Sequence, residues 1–268
     1  MNEPTYEHIR VEVDSDGVAL LTFERPAARN AMHLPMNLEI RTALLHLADR
    51  EDVRVLILTG AGDKAFVSGA DIAELRDRKG VVALAAHNAK LCDAIESFPF
   101  PTIAAIQGYA LGGGCEVALA CDLRVAGASS KLGQPEVSLG IIPAAGGTWR
   151  LQRIVGIAQA KELIYTAAII DAAEAGRIGL LNHVVPDGFA LSKARELAKT
   201  IASNSTMAVR LAKVAIDSGR ESSQQTGLSL EALAQTVLYD DPDKMRRMTQ
   251  FIDARDARRA ARAAKEKS

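Results

Sequence analysis

Short apolar runs, too brief to be anything but buried strands, alternate with longer stretches at helical spacing, and the alternation stops near Pro186. A layered α/β core is what this pattern demands. Residues 11–13 and 18–23 flank Asp14-Ser15-Asp16-Gly17, a turn signal, and predict an N-terminal hairpin. Over residues 34–50, Leu38, Leu44, Leu45 and Leu47 recur at helical spacing and predict a helix leading into an inner strand at 53–58. Further strands are expected at 102–106 and 123–126, with helical stretches at 82–97 and 114–120. Past Pro186 only helices are expected, over 191–201, 207–218, 228–239 and 243–262. No proline-rich or low-complexity linker separates the two parts, so the C-terminal helices should pack on the core or on a neighbouring subunit.

At 268 residues and 48% apolar content, the chain can bury one full core plus a smaller appendage. Its net charge of −1 gives no overall pull toward nucleic acid or an anionic membrane. The cysteines Cys92, Cys115 and Cys121 have neither zinc-ligand nor disulfide-framework spacing and read as reduced thiols. The opening Met1-Asn2-Glu3-Pro4 is polar and acidic, and no apolar run reaches membrane-spanning length. A cytoplasmic location is expected. The histidines are scattered without metal-ligand spacing, and no serine sits in a nucleophile elbow. Neither Gly-x-Gly-x-x-Gly nor a Gly-Lys-Ser/Thr loop occurs, which counts against nicotinamide and nucleoside triphosphate chemistry.

Two glutamates stand out. Glu116 follows Gly112-Gly113-Gly114 and lies inside the apolar stretch Cys115 to Cys121, which offers a carboxylate no solvated face. Glu136 lies in Gly133-Gln134-Pro135-Glu136-Val137, between an expected short strand and the loop Pro143-Ala144-Ala145-Gly146-Gly147. Burying such groups costs several kcal/mol unless they are paired or hydrogen-bonded, so two of them beside glycines point to acid/base work. The plain alternative is a pair of first-turn helix glutamates, each stabilised by a helix dipole by about 0.3–1 kcal/mol. Two backbone segments complete the candidate site. Lys64 to Ile72 is a strand-to-helix turn of small residues, and Tyr109 to Glu116 leads through glycines into a helix N-terminus. Together they can offer two amide donors to one oxyanion. Asp122 reads as structural, paired with the chain or with Arg124. The run Arg255, Arg258, Arg259, Arg262, Lys265 and Lys267 reads as a solvated helix end before it reads as a phosphate or RNA site.

The chain resembles the enoyl-CoA hydratase/isomerase, or crotonase, family. Five blocks carry the resemblance in order: Arg25-Pro26 with Asn30-Ala31-Met32, then 66–72, 108–122, 133–147 and 251–255. The resemblance implies a crotonase-like α/β spiral of repeated strand-strand-helix units over 1–200. It also implies a helical region at 201–268 that closes the pocket and builds a homotrimer or homohexamer. It places the oxyanion-hole amides on Ala70 and Gly113 and the hydratase carboxylates on Glu116 and Glu136. The family's CoA-holding positions fall on Ala31, Phe66, Gly69, Ala70 and Ile72. The implied reaction is reversible hydration of a trans-2-enoyl-CoA. Coenzyme A is then part of the substrate, and no separate cofactor is expected. An enoyl-CoA isomerase and a methylglutaconyl-CoA hydratase-like protein with RNA-binding activity are the alternatives; near-zero net charge and no aromatic-basic interleave count against RNA. Two departures from the family pattern are visible. Ala144 stands where glycine is usual, which restricts the backbone, and Arg246-Arg247 stand where Glu-Gly is common.

Overall fold

The computed structural model describes residues 4–77, 79–83, 85–219 and 222–265. The acidic start at residues 1–3, Leu84 in the expected helix 82–97, and Lys267 in the basic run lie outside the described residues. The six-stranded sheet runs β1 (Ile9–Val13), β2 (Val18–Phe23), β3 (Val55–Gly60), β5 (Thr102–Ile106), β7 (Leu123–Gly127), β10 (His183–Val185). Its first pair is the expected antiparallel hairpin, and the remaining neighbours are parallel. The four-stranded sheet is β4 (Ala65–Val67), β6 (Tyr109–Leu111), β8 (Lys131–Gly133) and β9 (Ile169–Asp171).

Each turn of the chain adds one strand to each sheet and then a helical layer. Strands β3 and β4 lead to α2 (Ile72–Asp77), α3 (Gly80–Ala83) and α4 (His87–Glu96); β5 and β6 lead to α5 (Gly113–Ala120). Strands β7 and β8 lead through a 3₁₀ turn, Pro135–Leu139, to α6 (Gly147–Val155) and α7 (Ile157–Tyr165). This is the expected α/β spiral. Its parallel strands are covered on both faces, which is why they read as continuous apolar runs. Leu56, Leu58, Ala104 and Ile106 face one apolar cluster, shared with α1 (Leu34–Ala48), α4 and α5. Val55, Ile57, Ile103 and Ala105 face the other, where Ala190, Ala194 and Ala198 of α9 (Ala190–Ala202) let that helix lie close. Full burial of each such Leu or Ile is worth about 1.5–3 kcal/mol over leaving it exposed. The helix α8 (Ala172–Arg177) links β9 to β10.

One expected helix forms with its core face now assigned, and a second is interrupted. In α1 the buried stripe is Met36, Ile40, Ala43, Leu44 and Leu47, whereas Leu38 and Leu45 are 46% and 72% exposed. Leu38 and Leu45 lie one heptad apart on the opposite side of the helix from Ile40 and Leu47, so both cannot share the core face. The expected helix at 82–97 is interrupted. Ala86 takes a left-handed φ of 49°, and α4 begins only at His87. The cause is tertiary: buried Asn37 of α1 donates from Nδ2 to His87 O and Asn88 Oδ1, both at 3.1 Å, and pins the start of α4 there.

The chain divides into two compact units, Met1–Ala202 and Ser203–Ser268. The second holds α10 (Thr206–Gly219), α11 (Gln224–Tyr239) and α12 (Pro242–Lys265). Among its described residues none is buried. Arg246 and Arg247 both turn back to Asp243 at the start of α12, and Arg247 also donates to Ser203 O at 2.9 Å. Farther along α12, Arg255 pairs with Asp256 at 3.0 Å. Among the described residues no helix is long and apolar enough to cross a membrane.

Candidate active site

The turn after β4 is shaped by residues that look inert in sequence. Arg29 and Asn30 are both left-handed, with φ of 50° and 56°. Asn30 is fully buried; its Oδ1 accepts from Arg25 N at 3.0 Å, and its Nδ2 donates to Ala61 O at 3.0 Å and Ala65 O at 2.8 Å. That network fixes the segment carrying Ala31 and Met32 against the β4–α2 turn. Met32 N donates to Gly69 O at 2.8 Å and Asp71 N donates to Met32 O at 2.9 Å, in a parallel bridge that leaves the N–H of Ala70 between them. The neighbouring Gly69 has a φ of 125°, which suits glycine.

Helix α5 supplies the facing wall. Gly112 ends β6 with φ 52°, and Gly113 is the first helical residue, so its N–H belongs to the set an α-helix leaves without an internal acceptor. A Cβ on Gly113 would stand 3.7 Å from Ala70 N. The two residues are therefore neighbours on one cleft, and among the described residues neither amide has an acceptor. Gly114 makes the approach of α5 to β4 possible, since a Cβ there would fall 2.0 Å from Val67 O.

Every residue of α5 is buried, and Glu116 is 3% exposed. Its carboxylate is held from the 143–147 loop: Oε1 accepts from Ala145 N at 2.7 Å and Gly147 N at 2.8 Å. Burial raises its pKa; the Gly147 and Ala145 amides and the charge of Arg150 oppose that rise. Gly147 suits this site as glycine, because a Cβ would lie 2.9 Å from Glu116 Oε1, from the end of the Gln134 side-chain amide and from Pro143 Cβ. Ala144 is not among the left-handed residues, so the alanine fits the loop without strain and presents its methyl group to the cleft.

Glu136 sits in the 3₁₀ turn with its carboxylate over Gly112, where a Cβ would be 2.9 Å from Oε1. Burial, with the charge of Glu116 adding to it, pushes its pKa up to about 7. Buried Gln134 is the companion that the sequence reading did not single out. With its amide nitrogen turned to Glu136, it lies 3.1 Å from both carboxylate oxygens.

Ala70, Gly113, Glu116 and Glu136 all line one cleft of about 410 Å³. Ala31, Gly69 and Ile72 line it as well. Phe66 does not. It is fully buried, 5.3 Å edge-on from Phe23, because alternation along β4 sends its ring into the core. The apolar wall comes from Leu75, Leu111, Leu139, Ile141 and Ile142, and a polar edge from His87 and Asn88. His87 and Asn88 were not legible as site residues, because α4 starts where Asn37 holds it and not where a local motif would. Asp122 is structural as expected, accepting from Thr102 N at 2.7 Å and Thr102 Oγ1 at 3.0 Å. Arg124 donates to Leu180 O at 2.7 Å and Cys121 O at 2.6 Å. Among the described residues no His, Cys, Asp or Glu cluster is arranged to hold a metal ion.

The spiral of paired sheets thus gathers two carboxylates and two amides without an acceptor around one cleft, the arrangement of an enzyme site. Residues 14–259 match the family model described as enoyl-CoA hydratase/isomerase, and the chain belongs to that family. It is 43% identical over 254 residues to the crotonyl-CoA hydratase of Syntrophomonas wolfei, spanning 94% of this chain and 97% of that one. It is 42% identical to the short-chain-enoyl-CoA hydratase of Clostridium acetobutylicum, spanning 89% of this chain and 92% of that one. The crystal structure of an enoyl-CoA hydratase from Bacillus anthracis superposes with a TM-score of 0.90 at 40% identity, covering 92% of this chain and 97% of the other.

Proposed function

We propose that this chain is an enoyl-CoA hydratase that adds water reversibly to a trans-2-enoyl-CoA thioester. The observation that carries the reading is the meeting of both glutamates and both unpartnered amides on one cleft. The thioester carbonyl oxygen sits between Ala70 N and Gly113 N, where each donor is worth about 3–4 kcal/mol as the oxygen gains charge. Glu116 has Oε1 saturated by two loop amides, so Oε2 is the atom that holds and activates water. The water oxygen bonds to Cβ and gives up a proton to Glu116; Glu136 delivers a proton to Cα. The two carboxylates act as one titrating pair, and solvent resets the proton between turnovers. A group titrating near 7 suits that exchange in both directions.

Coenzyme A runs past Ala31, Gly69, Ala70 and Ile72, while the acyl chain lies along the Leu75, Leu111, Leu139 and Ile142 wall. The second unit, which buries none of its described residues, supports assembly into a homotrimer or homohexamer. Buried thiols at Cys92, Cys115 and Cys121 suit a reducing compartment, in keeping with a cytoplasmic location.

The test is the loss of enoyl-thioester absorbance with crotonyl-CoA and longer enoyl-CoAs, on wild type, Glu116→Gln and Glu136→Gln. Wild type should consume part of the panel, and each variant should lose at least 10²-fold in kcat, the scale of a general acid-base contribution. Full activity in both variants, or none in wild type, sinks the hydratase reading. Conversion of a 3-enoyl-CoA that depends on one glutamate alone would mark an isomerase instead.

A further inference from the structure

Arg150 is the feature that the site chemistry has not absorbed. It is an arginine of α6 with only 2% of its surface exposed, and its guanidinium is fully engaged from three elements. From α4, Asp93 Oδ1 accepts from Nη2 at 2.8 Å, and Glu96 Oε2 accepts from Nη2 at 2.7 Å and from Nε at 3.1 Å. From the loop, Ala145 O accepts from Nη1 at 2.8 Å. The ring of Trp149 lies 4.4 Å below the guanidinium carbon. Gly146, with φ 97°, leaves room for this packing: a Cβ there would be 2.1 Å from Nη1. Ala145 is thus gripped at both ends, its carbonyl by Arg150 and its N–H by Glu116 Oε1.

We propose that Arg150 is a positioning residue for Glu116: it fixes the 145–147 loop whose amides hold Oε1, and it sets a positive charge behind that carboxylate. A lysine could not make the same set of bonds, because it lacks the planar fork that serves Glu96, Asp93 and Ala145 together. The titratable groups that interact with Glu116 are Arg150 of α6, Cys92 of α4, Glu136 of the 3₁₀ turn and Cys115 of its own helix, while Asp93 and Glu96 of α4 pair with Arg150 and Arg124 of β7 acts on Cys115. Of these, only the two arginines are cations, and Arg150 is the one whose charge acts on Glu116 directly. Its link to the reaction rests on the hydratase reading; its grip on the carboxylate does not.

The test therefore reads the carboxylate itself. In full-length protein labelled with ¹³C-glutamate, infrared spectra against pH give the carboxyl titration that disappears in Glu116→Gln. In Arg150→Met that titration should move up by roughly one pH unit, as loss of an adjacent opposite charge does. In Glu96→Gln it should move down, because Arg150 loses the carboxylate that neutralises it and its charge then acts on Glu116 less opposed. With crotonyl-CoA, the acid limb of kcat/KM should shift in the same directions. A Glu116 titration unchanged in Arg150→Met overturns the proposal and leaves Arg150 a plain clamp between α4 and α6. If Arg150→Met does not fold, Glu96→Gln decides, and a titration that fails to fall there overturns it. A wild type that hydrates nothing would defeat the hydratase reading while the infrared result still decides the role of Arg150.

Discussion

At Gly112 one hydrogen in place of a methyl group decides where the Glu136 carboxylate rests. A Cβ there would stand 2.9 Å from Glu136 Oε1, and the φ of 52° already disfavours any other residue. Gly112→Ala should therefore push Glu136 off its position and cut kcat by about 10²-fold while KM changes little, measured with crotonyl-CoA. Glu136 also has a stability signature. Its folded pKa, raised to about 7, lies above the usual carboxylate value, so the folded state binds the proton more tightly between those two pH values. Stability then falls as pH rises through that window, and the whole penalty is present above it. Glu136→Gln removes the penalty. The variant should be more stable than wild type by about 1–2 kcal/mol at pH 8, a figure reduced for partial exposure of the group, and equal to it at pH 4 in urea titrations. The glutamates could be found in sequence because apolar neighbours gave them away. Arg150 could not, since its carboxylate partners come from α4 and meet it only in the folded spiral, and Gln134 could not, since only the 3₁₀ turn folds Glu136 back onto it.

Among the elements, α4 shows most clearly what local sequence withholds. The inner strands β2, β3, β5 and β7 were legible because apolar runs such as 102–106 have no other stable use, and α5 because a glycine run announced it, whereas the three-residue strands β6, β9 and β10 are too short to carry a pattern. The start of α4 was not. It is set by Asn37, fifty positions earlier in the chain, through two 3.1 Å hydrogen bonds. Asn37→Ala should cost about 1–3 kcal/mol by denaturant unfolding, as expected when buried polar groups lose a partner. It should also raise KM, because the backbone it releases carries His87 and Asn88 on the cleft edge. Leu38 and Leu45 mark the opposite lesson: helical spacing identified α1 correctly but cannot say which of two apolar stripes meets the core.

For the whole molecule, the second unit sets the terms. A 66-residue stretch of helices with no buried residue among those described lacks the apolar burial that independent folding needs. Sedimentation equilibrium should accordingly find a mass above the monomer, and a chain ending at residue 202 should lose both assembly and stability. The first unit carries a different constraint. Helix α5 presents Gly113 and Glu116 to the cleft while all its residues belong to the buried core. Its hydrogen-bonded amides have no separate way to open, so their exchange with solvent should follow global unfolding. Catalytic competence and folding are then a single cooperative event: in a urea series, activity and far-UV dichroism should disappear at one midpoint, with no inactive but folded form between them.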